Sequence, residues 1–221
     1  DLLFCPTQTA VKNLKRENIT QGVHNVGDVM YDAVLQFSKI SEAGSTLLAS
    51  LEISPKHYFL ATVHRPANTD NPENLMAIFE AFRDLDETII FPVHPRTRGK
   101  IADLIEDIAT FAPKLKLIDP VGYLDMLSLA KNAKTILTDS GGLQKEAYWL
   151  ETPCITLRTE TEWVETVDAG WNTLVGADTE KILAAVTGWG EMPKRKELYG
   201  DGDAAGKIKE VFARRELFHV W

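Results

Sequence analysis

Short apolar runs alternate with stretches of helical period along most of this chain. Residues 58–63, 88–93, 115–118, 135–138, 153–157 and 172–175 are dense in Val, Ile, Leu, Phe and Thr, and each is bounded by polar or turn-forming residues. They read as strands buried on both faces. The segments between them repeat apolar residues at three- and four-residue spacing. Residues 72–85 place Leu75, Ile78, Phe79 and Phe82 on one stripe, and residues 97–111 do the same with Ile101, Leu104, Ile105 and Ile108. Helices are also expected over residues 123–132, 143–150 and 179–187. Ahead of this alternation, residues 2–5 form a strand closed by Pro6, and Thr7 caps a helix over residues 8–17. A short strand near residues 22–26, a helix from Val29 carrying Ala33, Val34 and Phe37, and a partly helical stretch broken at Gly44 follow. A last helix is expected over residues 204–215. The repeated β-α order predicts an α/β fold with a doubly wound, Rossmann-like parallel sheet.

Such sheets bind ligands outside the carboxyl ends of their strands. Polar residues stand at that position four times: His64-Arg65, His94-Pro95-Arg96, Asp139-Ser140 and Arg158. The most informative stretch is Thr135-Ile136-Leu137-Thr138-Asp139-Ser140-Gly141-Gly142-Leu143-Gln144-Lys145-Glu146-Ala147. A strand runs into a tight turn and straight into a helix. Ser140 suits the N-cap, and Gly141 and Gly142 let a ligand approach the backbone. The amides of the first turn, with the helix dipole, favour an anion. Glu146 lies on the order of 9 Å further along the axis, one sugar from a bound phosphate, where a carboxylate accepts both ribose hydroxyls. The same residues also suit a capped helix with a solvated Glu. His64 likewise reads as a ligand-facing residue or as a structural histidine bonded to a carbonyl.

A formal net charge of −8 argues against a nucleic-acid partner. No apolar run is long enough to span a bilayer. Cys5 and Cys154 sit in apolar strands and read as small buried residues, neither a disulfide nor metal ligands. No His, Cys, Asp or Glu grouping has metal spacing, so neither metal nor other cofactor is expected. Trp149, Trp163 and Trp171 read as packing residues. The chain opens on Asp-Leu-Leu-Phe without Met, as a segment of a longer protein would.

Taken together, several motifs resemble the non-hydrolysing UDP-N-acetylglucosamine 2-epimerases across nearly the whole chain. They are Leu3-Phe4-Cys5-Pro6-Thr7, Thr62-Val63-His64-Arg65, Pro92-Val93-His94, Tyr123-Leu124-Asp125, residues 138–147, Leu157-Arg158, and Thr161-Glu162-Trp163-Val164-Glu165 with Gly170. The resemblance implies one half of a GT-B fold. Residues 1–21 would be the last strand and helix of an N-terminal domain, residues 22–200 the C-terminal UDP-binding domain, and residues 201–221 a helix crossing back with its tail. It implies that Ser140, Gly141 and Gly142 hold the diphosphate of UDP or a UDP-sugar, Glu146 the ribose, and Arg158 and His64 the phosphates. Met126 and the loop 120–123 would meet the uracil. His64 and His94 are the catalytic candidates on this chain, and Arg65 and Glu162 would border the cleft or an allosteric site.

The chemistry implied is loss of UDP across C1–C2 and its return with inversion at C2. The groups that handle the C2 proton would lie in the absent N-terminal domain, leaving this chain inactive alone. A cytoplasmic homodimer is expected of the full-length protein. The sequence departs from the family pattern at Pro66-Ala67, at Lys145 beside Glu146, at Trp163-Val164 and at Met126. A GT-B glycosyltransferase or a binding-only module would use the same clamp.

Overall fold

A computed structural model describes residues 1–216 and, of residues 96, 215 and 216, the backbone alone. In chain order the elements are β1 (Leu3–Cys5), α1 (Gln8–Arg16), β2 (Val23–Asn25), α2 (Val29–Gly44), α3 (Leu47–Ser50), β3 (Tyr58–Thr62), α4 (Pro66–Thr69), α5 (Pro72–Asp84), β4 (Thr88–Pro92), α6 (Pro95–Leu104), α7 (Ile108–Phe111) and β5 (Leu115–Ile118). Then follow α8 (Tyr123–Asn132), β6 (Thr135–Thr138), α9 (Gly141–Trp149), β7 (Cys154–Thr156), α10 (Val164–Asp168), β8 (Asn172–Leu174), α11 (Thr179–Thr187) and α12 (Ala204–Glu216). The chain divides into two compact units, residues 1–40 with the segment from 196, and residues 41–195.

In the larger unit six parallel strands lie in the order β5-β4-β3-β6-β7-β8. This is the doubly wound arrangement expected from the β-α alternation. Chain direction across the sheet reverses between β3 and β6, where Thr62 pairs in register with Thr138. That reversal opens a crevice at the carboxyl ends of the two strands, the usual ligand position in such sheets.

Because side chains alternate along a strand, each strand feeds two cores. Phe59 and Ala61 face one layer with Phe79, Phe82 and Phe91, closed by α5 and α11. Tyr58 and Leu60 face the other with Ile136, Leu143 and Ala147, closed by α3, α8 and α9. Helix starts follow local chemistry. Asn71 accepts from the Glu73 and Asn74 amides, with Pro72 in the first turn of α5, and Asp178 accepts from the Lys181 amide to start α11. Cys154 is fully buried, which pushes its thiol up to about 12, and both cysteines are free.

The elements differ from the sequence reading at four places. The helix expected over residues 97–111 is two, α6 and α7. Asp107 leaves helical geometry and accepts from the Ala109 and Thr110 amides, starting a new helix where the apolar stripe continues unbroken. The clamp helix begins at Gly141, a half-turn early. The single-turn helix α4 was not foreseen, nor was α10.

In the smaller unit β1 and β2 pair in parallel, Phe4 opposite His24. Thr7 caps α1 through the Ala10 amide at 3.2 Å. The Ala204 and Ala205 amides at the start of α12 donate to the Asp32 carboxylate at 3.0 and 2.8 Å. Gly27 and Gly200 both take positive φ, and a Cβ on Gly200 would stand 2.9 Å from the Gly27 Cα, so this crossing requires glycine. No helix among the described residues is long and apolar enough to cross a membrane.

Candidate functional site

The crevice is organised by one buried carboxylate. Asp139 follows β6 and is fully buried. Its Oδ2 accepts from the Arg65 amide at 2.9 Å, the His64 amide at 3.1 Å and Asn68 Nδ2 at 3.1 Å. Oδ1 accepts from the His64 amide at 3.1 Å and lies 3.3 Å from His64 Nδ1. A carboxylate only accepts, so at this distance it favours a proton over a lone pair on Nδ1. Asn68 also donates to the Leu157 carbonyl at 3.0 Å, tying the end of β7 to the same turn. The hydroxyls of Thr62 and Thr138 meet at 2.6 Å beneath it. Three strand ends thus share one hydrogen-bonded knot.

Ser140 caps α9 as expected, its Oγ accepting from the Leu143 amide at 3.5 Å. The Ser140 amide donates to Thr138 Oγ1 at 2.9 Å, and the first bond within the helix is Gln144 to Ser140. Of the four amides a helix start leaves unpaired, those of Gly141 and Gly142 remain for a ligand. One turn further on, Glu146 is 8% exposed and accepts from the Tyr123 hydroxyl at 3.1 Å. Burial raises its carboxyl above the usual range, against the Tyr123 hydrogen bond and the Lys145 charge. The Tyr123 hydroxyl is raised in turn, by burial and then by Glu146.

A cleft of about 610 Å³ joins these groups, and of the expected site residues His64, His94, Met126, Ser140, Gly142 and Glu146 line it. Pro120, Val121 and Tyr123 complete the wall where the loop 120–123 was expected. Arg65 and Glu162 stand instead beside Gly141, and Arg158 joins them through Glu162. Arg158 holds the Glu162 carboxylate with two hydrogen bonds of 2.8 and 3.1 Å. Lys145, almost buried, lies 4.1 Å from the Trp163 ring centre and 5.4 Å from that of Trp149. Trp171 is buried against Tyr148. Arg96, named beside His94, has its side chain outside the described residues. Among the described residues no group of three His, Cys, Asp or Glu could hold a metal ion.

Two contacts escaped the sequence reading. Asp139 was visible in the motif, but its partners lie far along the chain. Tyr123 reads from the sequence as lying near a base, and its hydroxyl also meets the clamp carboxylate.

A family model described as UDP-N-acetylglucosamine 2-epimerase matches residues 1–213. A UDP-N-acetylglucosamine 2-epimerase homolog of Methanococcus maripaludis is 53% identical, over 96% of this chain and 60% of its own length. The UDP-2,3-diacetamido-2,3-dideoxy-D-glucuronate 2-epimerase of Pseudomonas aeruginosa is 41% identical, over 97% of this chain and 60% of its own length. A crystal structure of the Methanocaldococcus jannaschii UDP-GlcNAc 2-epimerase in complex with UDP-GlcNAc and UDP superposes with a TM-score of 0.86 at 41% identity, covering 96% of this chain and 61% of that one. The chain therefore spans about 60% of the length of these curated relatives. Sequence, fold and cleft agree that this chain belongs to the UDP-N-acetylglucosamine 2-epimerase family.

Proposed function

We propose that this chain is the UDP-binding part of an enzyme that interconverts UDP-N-acetylglucosamine and UDP-N-acetylmannosamine. The diphosphate lies on Ser140 and the amides of Gly141 and Gly142, with His64 and Arg158 nearby. Glu146 accepts the ribose hydroxyls, and Met126 with residues 120–123 faces the uracil. His94 borders the sugar side of the cleft, and Arg65 and Glu162 its rim. The observation that carries this reading is the pairing of a bare helix start at the sheet's reversal with a buried carboxylate one ribose away.

UDP leaves by elimination across C1–C2 and returns with inversion at C2. A helix start and placed cations stabilise the departing diphosphate, which suits leaving-group chemistry. The groups that move the C2 proton lie in an N-terminal domain beyond this chain, the other half of a GT-B fold. Residues 1–21 and 201–221 belong with that half; β1, α1 and α12 share one compact unit, which also takes in residues 22–40, and residues 217–221 lie outside the described residues. The whole protein acts as a cytoplasmic homodimer, and this chain alone does not turn over.

The test is an assay of the protein with its upstream sequence, given UDP-N-acetylglucosamine and no acceptor. Appearance of UDP-N-acetylmannosamine supports the reading. A requirement for an acceptor sugar, or release of free sugar and UDP, contradicts it.

A further inference from the structure

Beside the first turn of α9, next to the residues that line the cleft, stands a negative charge of the chain's own. Arg158 Nη1 donates to Glu162 Oε2 at 3.1 Å and Nη2 donates to Oε1 at 2.8 Å, a two-pronged grip. The same Oε2 reaches the first turn of α9. A Cβ built on Gly141 would stand 3.5 Å from it, 3.6 Å from Arg65 Nη2 and 3.4 Å from Trp163 Nε1. The charge of Arg65 also acts on the Glu162 carboxylate. Two guanidinium groups and an indole nitrogen thus gather with this carboxylate around the start of α9, and of them Arg158 holds it directly. That is the donor set a phosphate group takes. The Arg158 hydrogen bonds hold the Glu162 carboxyl down at about 2, so it is ionised at neutral pH.

We propose that Glu162 is an internal stand-in for the ligand's phosphate, which a nucleoside diphosphate must displace from Arg158 to bind. The inference rests on reading the cleft as a UDP site and adds a device that tunes it. The partners are unequal in the way an exchange requires. The Arg158 side chain is 15% exposed and the Glu162 side chain 55%, so the fold holds the cation while the carboxylate stands half in water. Glu162 swings outward, and the guanidinium passes from carboxylate to phosphate without losing its hydrogen bonds. Before binding, the pair keeps the Arg158 fork from wandering. After reaction, the returning carboxylate competes with the departing nucleotide.

The test is calorimetric titration of the chain with UDP and with inorganic pyrophosphate, for wild type, Glu162→Gln and Glu162→Ala. Melting curves of the three report folding, which substitutions at a half-exposed carboxylate leave intact. Removing the competitor tightens binding of both probes by about fivefold, the scale of an exposed ion pair. Wild-type binding that is unchanged or weakened in both variants overturns the inference and leaves the UDP reading standing, with Glu162 as a positioning residue for Arg158. A folded chain that binds neither probe in any of the three forms removes the UDP reading, and this inference with it.

Discussion

Replacing Asp139 by Asn changes one atom at the centre of the knot and tests whether the knot builds the site. The carboxylate accepts from two backbone amides and one side-chain amide, and its Oδ1 stands 3.3 Å from His64 Nδ1. An asparagine has one acceptor oxygen. The only partner able to change from donor to acceptor is His64 Nδ1, so the new NH2 must face the imidazole and drive its proton to Nε2. The His64 amide is then left with a single acceptor. Hydrogen bonds to a charged group contribute about 1.5–3 kcal/mol each, and a fully buried donor left unpaired costs about 1–3 kcal/mol. With one strained contact and the lost charge, the substitution costs about 2–4 kcal/mol. For a chain of this length that is roughly 8 °C in melting temperature. Differential scanning calorimetry measures the shift, and 15N-detected NMR of His64 reads the tautomer. A melt within about 2 °C of wild type, with the proton still on Nδ1, would refute the reasoning.

Two further outcomes follow from the clamp. Burial raises the Glu146 carboxyl, so the native state holds its proton more tightly than the unfolded chain does, and the ionised form lowers stability above the unfolded pKa. Glu146→Gln keeps an acceptor for Tyr123 and removes that penalty. It melts higher than wild type at pH 7, and the difference shrinks as pH falls through the raised native pKa; a lower melting temperature at pH 7 would count against the assignment. Gly141→Ala places a methyl where nothing in the chain comes closer than 3.4 Å, so it folds and melts like wild type. Its methyl stands in the approach of a phosphate, and UDP binds about tenfold more weakly, about 1.4 kcal/mol; unchanged affinity in a titration would move the diphosphate elsewhere.

The sheet was legible because parallel strands covered on both faces read as plain apolar runs, as at residues 58–63 and 88–93. The break between α6 and α7 was not, since Ile101, Leu104, Ile105 and Ile108 keep helical spacing across it and only Asp107 marks the restart. Helices α4 and α10 are too short to show a period; Pro66 in the first turn of α4 is the one local sign. Along α9 the clamp was legible because its parts are neighbours in sequence. Ser140, the two glycines and Glu146 need only helix geometry to meet. Asp139 and Glu146 find His64, Asn68 and Tyr123 through the folding of separate β-α units, and no local pattern records such pairings. The same holds for Arg65 and Glu162 beside Gly141.

The central claim is that this chain carries the UDP site with Glu146 on the ribose. Calorimetric titration of the chain with UDP, alongside Glu146→Ala, tests it most directly. The account predicts saturable binding by the wild type that weakens at least about tenfold in the variant, the loss of a charged hydrogen-bond acceptor. A folded wild type that does not bind UDP, or a Glu146→Ala chain that binds it equally well, would contradict it.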